Sequence, residues 1–304
     1  MLRRTDTKQT LLYKRVAACV EDFAPLPSVA MRVMEMVSDP DTMAADLETV
    51  LRGDVSLVAA VLKLSNSAFY GLRRQVVSLK HALSLLGKSE VQNLILARVL
   101  FQTFKLTNSH QRTLVTGIWR HSLECGLAAE CIAEQGHEES QLFFLGGMLH
   151  DLGKLLVVNE FSEEIEGIAH YGQLTGAEDL EIELGTLGCG HDELGAQLLY
   201  RWMFPPSLVQ MVGEHHNYEK LADCAHSSQL LILADLLSRF VALKDWENEM
   251  ERGETESGRL ESLLLRYGGV SGIIVDGQGL ERVEGEYRKR LGERADLLDL
   301  LLAG

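Results

Sequence analysis

Apolar positions recur along the chain at three- and four-residue steps, while alternation at two-residue steps is scarce. That periodicity belongs to helices that turn one face inward. After "PLP", a helix is predicted to start at Ser28, with Val29, Val33, Met36 and Val37 on one face. The turn residues and proline of "SDPD", 38–41, stop it. Further helices are expected over about 43–52, 54–64, 78–86 and 89–104, with "NSAFYG" and "LGKSE" as turns between them. From about residue 112, histidines and isolated acids interrupt the apolar faces, so the polar "KLTNSHQR" marks a boundary near 105–115. Beyond about 245 the chain turns acidic and Gly-rich. There "YGGVSGIIVDGQG" lacks the GK[ST] of a phosphate loop and reads as a connector before a last helix at about 280–302. The expected architecture is all-α, with two helical lobes at 1–110 and 111–245 and a C-terminal helical extension at 246–304.

Composition narrows this picture. With 304 residues, 46% apolar and 24% charged, the chain is an ordered protein with ample core. No uninterrupted apolar run approaches the roughly 20 residues of a membrane span. The opening "MLRRTDTKQTLLYKR" lacks the apolar centre of a secretory signal, so a cytoplasmic protein without a membrane partner is expected. Cys19, Cys125, Cys131, Cys189 and Cys224 are scattered, without a C-x-x-C, and read as buried reduced thiols. A net charge of −15 argues against DNA binding. It leaves room for a nucleotide or phosphate ligand at a local cation site.

The chemistry-bearing residues are polar groups where the helical pattern calls for apolar ones. His121 shares a face with Ile118, Cys125, Ala128 and Ile132. His150 and Asp151 interrupt the apolar "GGMLHDLGKLLVV". His215 follows Leu208, Met211 and Val212 on a buried face, with His216 beside it. Asp235 sits alone in "QLLILADLLSRF", where a buried carboxylate needs either a metal or a partner such as Arg239. His191, in "GCGHDELG", stands at a helix start. Each alone has an ordinary structural explanation. Together His121, His150, Asp151, His191, His215, His216 and Asp235 make a mixed nitrogen and oxygen set suited to one or two divalent transition metal ions, iron, manganese or zinc. Asp151, directly after a histidine, could bridge two ions and carry the chemistry. Lys154 is the second catalytic candidate, steadying a phosphate, or else a solvated lysine at a helix end. His81, His110, His137, His170 and His226 lie in polar surroundings and are bystanders.

The order His121, His150-Asp151, Asp235 resembles the H…HD…D signature of the HD superfamily of metal-dependent phosphohydrolases. More narrowly, residues 23 to 243 resemble the HDOD domain, the HD-related output domain of bacterial signalling proteins. The carrying segments are "LPSVAMRVMEMVSDPD", "DVSLVAAVLKLSNSAFYG", "LKHALSLLG", "WRHS", "GGMLHDLGK", "HDELGAQLLYRWMFPP" and "HHN". That resemblance implies a regulatory protein with signalling partners and no established reaction. The retained ligand set is also similar to that of the HD-GYP phosphodiesterases of cyclic di-GMP. This likeness implies that His121, His150, Asp151 and Asp235 serve one ion, and Asp151, His191, His215 and His216 the other. The alternative function it implies is a metal-dependent phosphohydrolase or phosphodiesterase acting on a nucleotide or cyclic dinucleotide. The chain departs from that pattern after His216, where it reads "NYEKLADC" and not Gly-Tyr-Pro.

Overall fold

The structure, a computed structural model, describes residues 12, 14–16, 18–38, 44–67, 70, 72, 74–104, 108–138, 140–165, 176–249, 257–274, 276–294 and 297. Among them every regular element is a helix, so the protein is all-α. The chain divides into two units, one of residues 24–105 with 289–304, the other of residues 1–23 with 106–288.

The first unit is built on helices α1 (Ser28–Ser38), α2 (Ala44–Leu51), α3 (Val55–Ser65), α4 (Leu79–Leu86) and α5 (Lys88–Thr103). Their inward residues, Ala30, Val33, Leu47, Leu57, Val61, Leu83 and Ile95, are buried as the periodicity requires. Asp54 caps α3 by accepting from the Ser56 and Leu57 N–H groups at 2.8 and 3.2 Å. At the other end Asn66 fastens the following loop: its side chain donates to the Leu62 and Val76 carbonyls and accepts from the Val76 N–H at 2.7 Å. Of the α1 stripe named above, the Val37 side chain lies outside the described residues, as does the "DPD" at 39–41 expected to stop the helix.

The second unit carries the histidines. Its long helix α6 (Ser109–Gln135) is capped by Asn108, which accepts from the Gln111 N–H at 2.8 Å. It packs against α7 (Ser140–Leu149) and α13 (His226–Glu249). Between α7 and α13 come α8 (Leu152–Glu160), α9 (Ser162–Ile165), α10 (Gly176–Thr186), α11 (His191–Arg201), α12 (Pro206–Glu214) and a 3₁₀ turn, Tyr218–Asp223. Two further helices follow, α14 (Ser257–Ser271) and α15 (Gly277–Glu293). Arg201 ties the start of the chain to α11 by donating to the Val20 and Phe23 carbonyls, both at 2.6 Å.

Three expectations need correction or refinement. "YGGVS" is not a connector but the last turn of α14. Its Gly268 is a packing residue, since a Cβ there would lie 2.4 Å from the Ile274 Cβ. Cys125, Cys131 and Cys189 are buried and no disulfide joins the cysteines, but Cys19 and Cys224 are only half-buried. Finally, Ser140–Glu160 is long and apolar enough to cross a membrane by length and composition. It is nearly all buried within the fold, as α7 and α8 flanking His150-Asp151.

Candidate metal centre

Three helix ends and two helix faces bring the seven candidate ligands together. His121 comes from the middle of α6, His150 and Asp151 from the turn between α7 and α8, and His191 from the first residue of α11. His215 and His216 follow the last turn of α12, and Asp235 faces inward from α13. The approach of α8 to α11 needs a glycine, because a Cβ on Gly153 would fall 1.9 Å from the His191 carbonyl oxygen. His150, Asp151, His191, His215 and Asp235 are buried, and the His121 side chain is 19% exposed.

The ligand atoms fall into two groups, each with its atoms within 4.8 Å of one another: Asp151, His191, His215 and His216; and His121, His150 and Asp235. Asp151 lies between them. Its Oδ1 is 3.2 Å from His191 Nε2, and its Oδ2 is 3.4 Å from His150 Nε2.

Hydrogen bonds on the far side of the rings fix which nitrogen faces inward. His150 Nδ1 donates to the Gly147 carbonyl at 2.7 Å, and His215 Nδ1 to the Val212 carbonyl at 2.6 Å. A carbonyl only accepts, so Nδ1 carries the proton and Nε2 presents a lone pair in the neutral ring. The His191 ring is oriented by a carboxylate: Glu183 Oε2 accepts from its Nδ1 at 2.7 Å and from its backbone N–H at 2.6 Å. That one oxygen both caps α11 and aims the ring, as outer carboxylates do for metal-bound histidines.

Electrostatics favour an added cation. The carboxylates of Asp151, Asp179, Glu183 and Asp235 are all buried, with the Lys154 ammonium beside the first two, the Arg239 guanidinium on Asp235 and the His191 ring on Glu183. Burial lowers the affinity of His150 for a proton and takes it down to about 3, despite Asp151 and Asp235. Burial acts likewise on His191, but the Glu183 and Asp151 carboxylates outweigh it and lift that ring to about 9. His216 is held well below the ordinary range by burial and by its neighbours His215 and His191. Two buried ligand-type atoms, Asp151 Oδ1 and His215 Nε2, have no hydrogen-bond partner among the described residues. Such atoms fit a metal ion better than a closed structural network.

The remaining neighbours are engaged by protein. Arg239 Nε donates to Asp235 Oδ1 at 2.8 Å, and its Nη2 lies 2.9 Å from His121 Nε2. Tyr218 donates to Asp235 Oδ2 at 3.4 Å. Lys154 is not a solvated lysine at a helix end. It is 2% exposed, with Nζ 3.1 Å from Asp151 Oδ2 and 3.0 Å from Asp179 Oδ2. Burial works against its charge, yet those two carboxylates raise its pKa above the ordinary lysine value.

The HDOD domain profile matches residues 23–218 of this sequence. This chain belongs to the HDOD domain family. Asp235 and Arg239 lie beyond the matched residues of the HDOD domain. An uncharacterized protein of Treponema pallidum (strain Nichols) is 24% identical over 213 residues, 69% of this chain and 41% of that protein, so the match spans less than half of the curated relative. In structure the HDOD chain is similar to a candidate phosphohydrolase of Shewanella amazonensis SB2B, with a TM-score of 0.71 and 22% identity over 94% of this chain and 97% of that one. It is also similar to an HDOD domain protein of unknown function from Geobacter sulfurreducens, with a TM-score of 0.69 and 21% identity over 97% and 99% of the two chains. These likenesses establish the helical fold.

All seven metal-ligand candidates of the HDOD chain therefore lie in the two groups, and Lys154 beside them. His81, His110, His137 and His226 are exposed and stand apart, while His170 lies outside the described residues. Sequence reasoning missed Asp179, Glu183 and Tyr218. The first two share the inner face of α10 at i, i+4, a signal hidden because "GAEDLEIELGT" also reads as an ordinary acidic surface helix.

Proposed function

We propose that this HDOD chain is a cytoplasmic regulatory module for signalling partners, whose histidine-rich unit binds a divalent transition metal ion, iron, manganese or zinc. One observation carries the reading: among the described residues Asp151 Oδ1 and His215 Nε2 are buried without hydrogen-bond partners, between rings whose Nδ1 atoms are already committed. The four buried carboxylates at and behind the centre support it further, because they favour a cation among them. When bound, such an ion could stabilise charge on a phosphoryl oxygen of a nucleotide or phosphate ligand. Lys154 then serves as a positioning residue, holding Asp151 from the Oδ2 side while Oδ1 faces the rings.

The second reading, a metal-dependent phosphohydrolase acting on a nucleotide or cyclic dinucleotide, draws on the completeness of the ligand set. Two observations favour regulation over it. The Lys154 ammonium already has two carboxylate neighbours. After His216 the chain enters a 3₁₀ turn that directs Tyr218 to Asp235, with no substrate-gripping motif. Elemental analysis of protein purified without a histidine tag tests the metal claim: bound iron, manganese or zinc is expected, and its loss in His215→Ala. A phosphodiesterase panel on the loaded protein should give weak or no turnover. Robust activity that vanishes in Asp151→Ala would make the protein an enzyme.

A further inference from the structure

The two ligand groups are not equivalent, and Arg239 makes the difference. A guanidinium has five N–H donors and no acceptor, and it keeps its charge in proteins. His121 Nε2 lies 2.9 Å from both the Arg239 Nη2 and Asp235 Oδ1. In one tautomer its lone pair accepts from the guanidinium, and in the other its N–H faces the carboxylate. In both, the lone pair a metal ion would take is engaged or absent. The Arg239 Nε occupies Asp235 Oδ1 at 2.8 Å. Two of the three ligand atoms of the His121, His150 and Asp235 group thus already lie against a cation supplied by the chain itself. Arg239 reaches Asp235 from one turn away on the same helix, and its side chain is only 14% exposed. A divalent ion in this group would sit against a fixed positive charge in a poorly solvated place, where repulsion is strong. In the other group the contact to be displaced is a proton between two rings, His216 Nε2 to His191 Nε2 at 2.8 Å, and metal binding releases protons where it cannot remove a guanidinium. Asp151 turns Oδ2 to Lys154 and leaves Oδ1 to His191 and His215, at 3.2 and 3.8 Å.

We propose that the Arg239 guanidinium stands where a second metal ion would be held, so that the centre takes a single divalent ion on Asp151, His191, His215 and His216. This rests on the metal-binding reading above and sharpens it. Clamping a phosphoryl group between two ions needs both of them about 3.5–4 Å apart. A built-in guanidinium replaces one of the pair with a cation that binds anions but does not activate water. That favours holding a phosphate-type ligand over cleaving one.

The test is the number of Mn²⁺ ions bound per chain by metal-stripped full-length protein reloaded with Mn²⁺. Elemental analysis after gel filtration gives the count, and electron paramagnetic resonance tells an isolated ion from a coupled pair. Wild type is expected to hold one uncoupled ion, His121→Ala likewise one, and Arg239→Gln two with coupling. If Arg239→Gln does not fold, wild type and His121→Ala still decide. Two coupled ions in wild type, falling to one in His121→Ala, would overturn the inference while leaving the metal-binding reading intact. One ion in both wild type and a folded Arg239→Gln would also overturn it, because the guanidinium would not be what excludes the second ion. No ion in any of the proteins would defeat the metal-binding reading and this inference with it.

Discussion

The two halves of the buried centre use the same residue types and solve opposite problems. Around His121, His150 and Asp235 the protein completes its own electrostatics: Arg239 neutralises Asp235 and lies against His121, and Tyr218 reaches the second Asp235 oxygen. Around Asp151, His191, His215 and His216 it does so only in part, through Lys154 on Asp151 Oδ2 and the 2.8 Å contact between His216 Nε2 and His191 Nε2. There the rings are aimed from behind by Glu183 and the Val212 carbonyl, while Asp151 Oδ1 and His215 Nε2 have no hydrogen-bond partner among the described residues. A network that is closed contributes to stability, whereas one held open lowers stability until a ligand fills it. The first half is thus built as structure and the second as a binding site.

The largest effect should come from breaking the closed half. Asp235→Ala leaves the Arg239 charge buried without its carboxylate, and losses of about 3–5 kcal/mol are typical of such changes. The loss should appear in urea melts with a metal chelator present as well as without. His216→Ala, in the open half, should cost metal-free protein far less while abolishing metal binding. If the two variants were equally destabilising in chelator, the division between a structural and a binding half would be wrong.

A smaller effect is expected at Glu183. Glu183→Gln keeps an acceptor for the His191 N–H groups but removes the charge that aims the ring. Changes to such outer partners typically weaken metal affinity about 10–100-fold. Calorimetric titration with Mn²⁺ checks this, and unchanged affinity would demote Glu183 to a helix cap.

The smallest effect provides a control outside the centre. Glu284, on α15, accepts from Lys244 at 3.0 Å and from Arg288 at 2.8 Å. Burial raises the Glu284 pKa, but those two cations outweigh it and hold the carboxyl below the ordinary value of 4.5. A depressed carboxyl contributes stability above its unfolded pKa and loses it as pH falls through the folded one. The Lys244 and Arg288 side chains are 41% and 36% exposed, so the contribution should stay under about 1 kcal/mol. Glu284→Gln should flatten that part of the acid limb of the stability curve and leave metal binding unchanged. A change in metal content would show that the centre is coupled to α15.

Much of the centre was legible because burial makes polar residues conspicuous. His121, His150 and Asp235 interrupt apolar helix faces, and no surface role accounts for that pattern as economically as a shared site. The helices were legible for the same reason, from Val33 and Leu57 to Leu233. What escaped notice was polar residues in polar company. Asp179 and Glu183 lie in an acidic segment whose outer residues are solvated, so composition could not tell the inward pair from the rest. Tyr218 depends on a turn that local sequence does not specify. Arg239 was visible as a partner for Asp235, but its reach to His121, 118 residues away, exists only in the folded chain. Gly268 misled for a further reason: its lack of a side chain serves contact with Ile274 and not a flexible link.

The central claim is that the open half, and not the closed one, receives the metal. Anomalous diffraction at the metal edge, from crystals of untagged protein grown with Mn²⁺, tests it most directly. The account predicts a single strong peak among Asp151, His191, His215 and His216, with histidine nitrogens within about 2.0–2.3 Å of it and Arg239 still on Asp235. The absence of a peak there, or a second peak of similar height among His121, His150 and Asp235 with Arg239 displaced, would contradict it.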